Sequence, residues 1–119
     1  MKLKLFDSEL KIMEILWQEG DSTAKKIAEL AKTQVGWSKT TTYTVIKKCL
    51  DKGAIERLEP SFTCHALITK QEAQKFETAE LINKMYDGAA DQLVASILGG
   101  KTLTPQEIES LKQLVNGLK

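Results

Sequence analysis

Trp37-Ser38-Lys39-Thr40-Thr41-Thr42-Tyr43-Thr44-Val45-Ile46-Lys47-Lys48-Cys49-Leu50-Asp51-Lys52-Gly53 decides the fold. Wound as a helix, this stretch has two faces. Thr42, Val45, Ile46, Cys49 and Leu50 recur at the i, i+3, i+4, i+7, i+8 spacing of a buried stripe. Thr40, Tyr43, Thr44, Lys47 and Lys48 fall on the other side. That outer face carries short hydroxyls, ammoniums and one aromatic ring, and almost no acid. Such a surface suits a helix lying in the major groove of DNA. Ser38 is placed to cap the helix and Gly53 to end it in a left-handed turn.

The chain upstream supplies two more helices. Asp7-Ser8-Glu9 are helix-start residues, Leu10, Met13, Leu16 and Trp17 share a face, and Gly20 closes the element. Ser22 or Thr23 caps the second helix, which runs to about Gln34 with Ile27, Leu30 and Ala31 inward, and Gly36 breaks it. Downstream of Gly53 the period shortens. Residues 54–59 and 62–67 read as two short strands joined by Pro60-Ser61. Three short helices followed by a hairpin form a winged helix-turn-helix, in which the third helix is the reader.

A second, helical part follows. Thr69-Lys70-Gln71-Glu72 is a capping box opening a helix over about 70–86. Asp87-Gly88 interrupts it, and a helix from Ala89 to Leu98 ends at Gly99-Gly100. Thr104-Pro105-Gln106-Glu107 is another capping box, with Pro at the first helical position. The expected architecture is mainly α, with a winged helix-turn-helix over 1–69 (three helices plus a two-stranded wing) and a three-helix dimerisation domain over 70–119. About fifty residues with three apolar stripes do not easily bury them alone. They pack either on the first domain or on a second copy. Self-association is the expectation, because two reading heads need fixed spacing. Its residues are Phe76, Met85, Tyr86, Leu93, Val94, Ile97, Leu98, Ile108, Leu111, Leu114 and Val115.

Composition narrows the function. Hydrophobic content of 42% and charged content of 28% are those of a globular chain. The net charge is only +1, so no global basic field points to nucleic acid. The distribution says more: residues 38–53 hold four Lys and one Asp, a local patch of the kind phosphate contacts require. The two cysteines, Cys49 and Cys64, are too few for a disulfide scaffold. No apolar run is long enough to span a membrane, and Met1–Asp7 lacks the apolar core of a signal peptide, so a cytoplasmic protein without membrane insertion is expected. An enzyme is not expected. One histidine, His65, leaves no Ser-His or Cys-His pair with an orienting group, and no phosphate-binding or metalloprotease motif occurs. His65 beside Cys64 does not make a metal site, since adjacent strand residues point to opposite faces. No cofactor or metal is expected.

Within the reading helix Ser38 either caps alone or caps and bonds phosphate. Lys39, Thr40, Thr41 and Thr44 reach phosphates or base edges, Tyr43 suits a phosphate or sugar contact, and Lys47 and Lys48 neutralise phosphates. No Arg, Asn or Gln stands between Ser38 and Lys52, so sequence reading leans on threonines, Lys39 and DNA shape. Arg57, on the first wing strand, either contacts the DNA backbone or pairs with Glu59 or Glu56.

The ordered set of motifs resembles a known family. Ser8-Glu9-Leu10-Lys11-Ile12-Met13-Glu14-Ile15-Leu16-Trp17 is similar to its entry helix, and Trp37-Ser38, Thr41, Thr44, Leu50 and Lys52-Gly53 to its recognition helix. Met85-Tyr86-Asp87-Gly88 with Leu93-Val94, and Thr104-Pro105-Gln106-Glu107-Ile108 with Leu111, resemble its C-terminal half. These are the penicillinase repressors (BlaI/MecI), with the copper-responsive CopY repressors as relatives. The resemblance implies a homodimer on palindromic double-stranded operator DNA, repressing a β-lactam-resistance or other stress-responsive operon. In the antibiotic-responsive branch it implies derepression when a membrane-bound sensor protease cuts the C-terminal half. The chain departs from the family at three places. Ser96-Ile97 stand where cleaved members carry Asn-Phe. No cysteine follows Cys64, whereas the copper branch has paired Cys-x-Cys motifs. In the wing, Ala66 replaces an aromatic residue and Pro60 a polar or glycine tip. The rival readings are a winged-helix protein-interaction module, and a repressor of this family answering a metal, redox or small-molecule signal.

Overall fold

The computed structural model describes residues 4–100 and 104–116, the last three of these by backbone alone. The chain divides into two compact units, Met1–Ala73 and Gln74–Lys119. The first contains α1 (Asp7–Glu19), β1 (Ser22–Thr23), α2 (Ala24–Gln34), α3 (Lys39–Lys52), β2 (Ile55–Leu58) and β3 (Thr63–Ala66). Helix α4 (Lys70–Met85) starts in that unit, and α5 (Ala90–Gly100) and α6 (Pro105–Asn116) belong to the second. The architecture is the mainly helical winged helix with a following helical segment that the sequence pattern predicts.

Local chemistry accounts for the boundaries. The Thr23 hydroxyl accepts the Lys26 N–H at 3.1 Å, which makes Thr23 the cap of α2. At α4 the Thr69 N–H donates to Glu72 Oε1 at 2.8 Å and the Glu72 N–H to Thr69 Oγ1 at 3.0 Å. Thr104 and Glu107 repeat this reciprocal pair at α6. Asp87 and Gly88, both at positive φ, separate α4 from α5.

The core of the first unit is built from Ile12, Met13, Ile15, Leu16, Ile27, Ala31, Val45, Ile46, Cys49, Ile55, Cys64 and Ile68. Burying each large aliphatic chain contributes about 2 kcal/mol. Long-range bonds from two side chains close this unit. Trp17 Nε1 donates to the Ile68 carbonyl at 2.9 Å. Lys52, at the end of α3, donates to the Glu9 carboxylate and the Lys4 carbonyl, and Glu9 also accepts the Phe6 N–H at 2.8 Å. Glu9 is buried within this arrangement.

The structure corrects three expectations. The wing pair gains a third strand, giving the antiparallel order β1-β3-β2 with Ser22 opposite Cys64 and Thr23 opposite Thr63. Leu10 is exposed, because α1 turns Ile12, Met13, Ile15 and Leu16 inward together with Glu9. Helix α5 takes in Gly99 and Gly100, so its last residue lies two positions beyond the expected Leu98.

Candidate nucleic-acid interface

Helix α3 begins on a small hydroxyl network. The Thr41 N–H donates to Ser38 Oγ at 3.2 Å, and the Ser38 hydroxyl donates to Thr41 Oγ1 at 3.0 Å. Ser38 is therefore the cap, and Thr41 keeps its own hydroxyl proton free of any partner among the described residues. The Thr42 hydroxyl, fully buried, donates back to the Ser38 carbonyl at 3.0 Å. The Thr44 hydroxyl donates to the Thr40 carbonyl at 2.9 Å, leaving oxygen lone pairs and a methyl for any outside contact. Gly53 closes the helix in the left-handed region at φ 83°.

Six residues of this helix start, Lys39, Thr40, Thr41, Thr44, Lys47 and Lys48, are exposed, and so is Ser38. Neither Lys47 nor Lys48 makes an ion pair among the described residues. The first acid on this face is Asp51, a turn past Lys47. The charge placement at helix starts is also selective. Helices α1, α4, α5 and α6 each carry an acid in the first turn, whereas α2 and α3 carry none. An acid there stabilises a helix by compensating its dipole. Its omission from the two helices of the helix-turn-helix leaves their positive ends open to an outside anion.

The wing joins this face through aromatic rings. Tyr43, half-buried on α3, packs against Phe62 with ring centroids 6.2 Å apart and planes inclined at 59°. The Arg57 guanidinium lies 3.7 Å from the Phe62 ring centre. Lys39 Nζ sits 5.7 Å from the Tyr43 ring. Arg57 Nε is also paired with Glu59, one of the two carboxylates expected, and both side chains are largely exposed. Lys39, Tyr43, Phe62 and Arg57 thus form one run from the start of the reading helix to the wing. Phe62 was not among the expected site residues. Its sequence signal is only an aromatic residue at the start of a strand, and the packing that gives it meaning spans 19 residues back to Tyr43.

The remaining polar candidates have other partners. His65 Nδ1 is 2.7 Å from Asp21 Oδ1, and Cys64 is fully buried on the other side of the strand. Among the described residues no group of three His, Cys, Asp or Glu is arranged to hold a metal. Burial first, and the Glu9 charge second, push the Cys49 thiol up to about 12. Burial pushes Cys64 up to about 11, against the opposing effect of Arg57. Both are therefore protonated and inert near neutral pH, unlike the exposed thiolates of redox sensors.

In the second unit Ile82 is the one buried side chain among the described residues. Phe76, Tyr86, Leu93, Val94, Ile97, Ile108 and Leu111 are half-buried. Met85 and Leu98 stay 65% and 44% exposed, and Leu81 43%. The side chains of Leu114 and Val115 lie outside the described residues. Ser96 is exposed and Ile97 half-buried, both inside α5. No helix among the described residues is long and apolar enough to cross a membrane.

Residues 5–117 match the family model described as penicillinase repressor. The methicillin resistance regulatory protein MecI of Staphylococcus aureus (strain N315) is 28% identical over 115 residues, covering 95% of this chain and 94% of that protein. The penicillinase repressor of Bacillus licheniformis is 26% identical over 115 residues, covering 94% of this chain and 89% of the relative. A match over nearly the whole length, on the winged helix and the helices after it, assigns the chain: it belongs to the penicillinase repressor family, DNA-binding transcriptional repressors and not enzymes.

Proposed function

We propose that this chain represses transcription as a homodimer bound to a palindromic operator, each copy placing α3 in the major groove. The observation that carries the reading is the outer face of α3 from Ser38 to Lys48, hydroxyl-rich, lysine-bearing and without an acid. Ser38, Lys39, Thr40 and Thr41, at the helix start, are the residues assigned to base edges and nearby phosphates, with Thr44 one turn on. Lys47 and Lys48 neutralise phosphates, Tyr43 meets backbone or sugar, and Arg57 extends the contact from the wing.

The half-exposed apolar side chains of α4, α5 and α6 support self-association. A fold of this size that leaves Leu81, Met85 and Leu98 in water is stabilised by a partner that covers them. A second copy fits, since a two-fold dimer matches a two-fold operator. Residues 1–69 thus read DNA and residues 70–119 hold the dimer. Derepression by proteolysis near Ser96-Ile97 extends the reading. These residues sit within a helix, so a sensor protease would act on a locally opened α5. Such control fits a β-lactam-resistance or other stress-responsive operon in the cytoplasm.

Nuclease footprinting on the DNA upstream of the gene tests this. The expected result is two protected half-sites about one helical turn apart, related by a dyad. Uniform or absent protection at concentrations that shift non-specific DNA would reject operator binding and move a protein-docking role for the winged helix forward.

A further inference from the structure

We infer that Phe62 is a positioning residue of the DNA interface, fixing the Arg57 guanidinium to the reading helix through Tyr43 so that wing and helix engage phosphates as one body. The inference rests on the DNA-binding reading above and deepens it. Three observations carry it. First, the ring is held on two sides, by Arg57 at 3.7 Å and by Tyr43 at 6.2 Å. A guanidinium stacked on a ring loses much of the rotamer freedom that an exposed arginine otherwise keeps. Second, Glu59 engages Nε, while the terminal nitrogens of Arg57 have no hydrogen bond among the described residues. Those terminal N–H groups form a fork of the kind that receives a phosphate. Third, Phe62 has φ 50°, in the left-handed region where a bulky side chain is disfavoured and Asn or Gly is at ease. Its carbonyl accepts the Ala24 N–H at 2.9 Å, which ties this turn to the start of α2. The backbone there favours a small residue, so what an aromatic residue adds is its ring.

The charges around the stack are consistent with this use. Lys39 and Arg57 lie at its two ends, with Glu59 as the carboxylate beside it. Tyr43 and Phe62 also pack against the core of the first unit, which gives the stack a fixed base.

The test is an anisotropy titration of the full chain on its upstream DNA across a salt series, with Arg57→Ala, Phe62→Asn, their combination, and Phe62→Trp. Arg57→Ala is expected to lower the slope of log affinity against log salt by about 0.9, one phosphate contact. Phe62→Asn suits the left-handed backbone and removes the ring; it is expected to lose the same slope and to weaken binding about two- to fivefold. The double variant should bind no worse than Arg57→Ala alone, and Phe62→Trp should keep the parental slope. A purely structural Phe62 would give a parental slope in Phe62→Asn, or losses that add in full to those of Arg57→Ala, and either result overturns the inference. An unchanged slope in Arg57→Ala overturns it too while leaving DNA binding through α3 intact. Failure of the parent chain to prefer its upstream DNA would instead remove the reading beneath it.

Discussion

Replacing Lys52 by Met should destabilise the first unit by about 2–3 kcal/mol, although Lys52 is not among the proposed DNA contacts. Lys52 joins the end of α3 to the start of α1, donating to the carboxylate of Glu9 and the carbonyl of Lys4, with Nζ 4.6 Å from the Phe6 ring centre. The side chains of Lys52 and Glu9 are 20% and 4% exposed. Met keeps the length and apolar stem of Lys, so the substitution isolates the charge. It leaves a buried carboxylate with the Phe6 N–H as its remaining hydrogen bond among the described residues. Removing one partner of a buried pair costs about 3–5 kcal/mol, and the partial exposure of Lys52 lowers this to about 2–3 kcal/mol. In a unit of this size each kcal/mol moves Tm by about 4–8 °C, so a fall of about 8–24 °C is expected. Urea and thermal unfolding followed by circular dichroism would measure it. The cycle is completed by Glu9→Gln and the double variant, in which no uncompensated charge remains. The double variant should recover at least about 1 kcal/mol relative to the sum of the singles. A Lys52→Met loss below about 0.5 kcal/mol, or strict additivity, would reduce the pair to an ordinary surface contact.

Other outcomes follow from the same structure. Lys47→Ala and Lys48→Ala should each weaken binding to specific and scrambled duplexes alike and lower the salt slope by about 0.9, measured by anisotropy; unchanged slopes would remove them from the interface. Leu98→Asp should shift the chain from dimer to monomer in sedimentation at micromolar concentration while the winged-helix unit stays folded; an unshifted dimer would place the interface elsewhere. Stability should hold through neutral pH and decline above about pH 9. The folded-state thiols titrate near 12 (Cys49) and 11 (Cys64), above the ordinary value of 9.0, so over that window the unfolded chain loses protons that the folded chain keeps. The slope is about 1.4 kcal/mol per pH unit for each thiol, and denaturant melts of a Cys49→Ala, Cys64→Ala double variant should show a shallower decline between pH 9 and 11.

What the sequence made legible was written in local chemistry. The limits and faces of α3 follow from Ser38, Gly53 and the spacing of Thr42, Val45, Ile46 and Cys49, all within one stretch. The two Thr-x-x-Glu boxes likewise mark the starts of α4 and α6. What stayed hidden depends on residues far apart in the chain. In α1 Met13, Leu16 and Trp17 pack inward as expected and Leu10 does not, because apolar residues occupy positions 10, 12, 13, 15, 16 and 17, which admit more than one stripe. The choice is made by packing, with Glu9 turned inward to meet Lys52, 43 residues away. Strand β1 is two residues long and exists through pairing with Thr63 and Cys64. Gly99-Gly100 mark the end of α5 but lie inside its last turn. Glycine in a helix costs about 1 kcal/mol, a weak preference that α5 overrides. In the interface, exposure of the lysines and threonines on α3 was foreseeable from their period, whereas the Tyr43-Phe62-Arg57 stack was not, since it joins a helix to a hairpin.

In the proposed function a two-fold pair of these chains reads a specific duplex. A fluorescence-anisotropy titration on the DNA upstream of the gene, at two salt concentrations and beside a scrambled duplex, tests it most directly. Tighter, strongly salt-dependent binding to the native duplex, saturating at two chains per site, is expected. Equal, weak binding to both duplexes, or saturation at one chain, would contradict it.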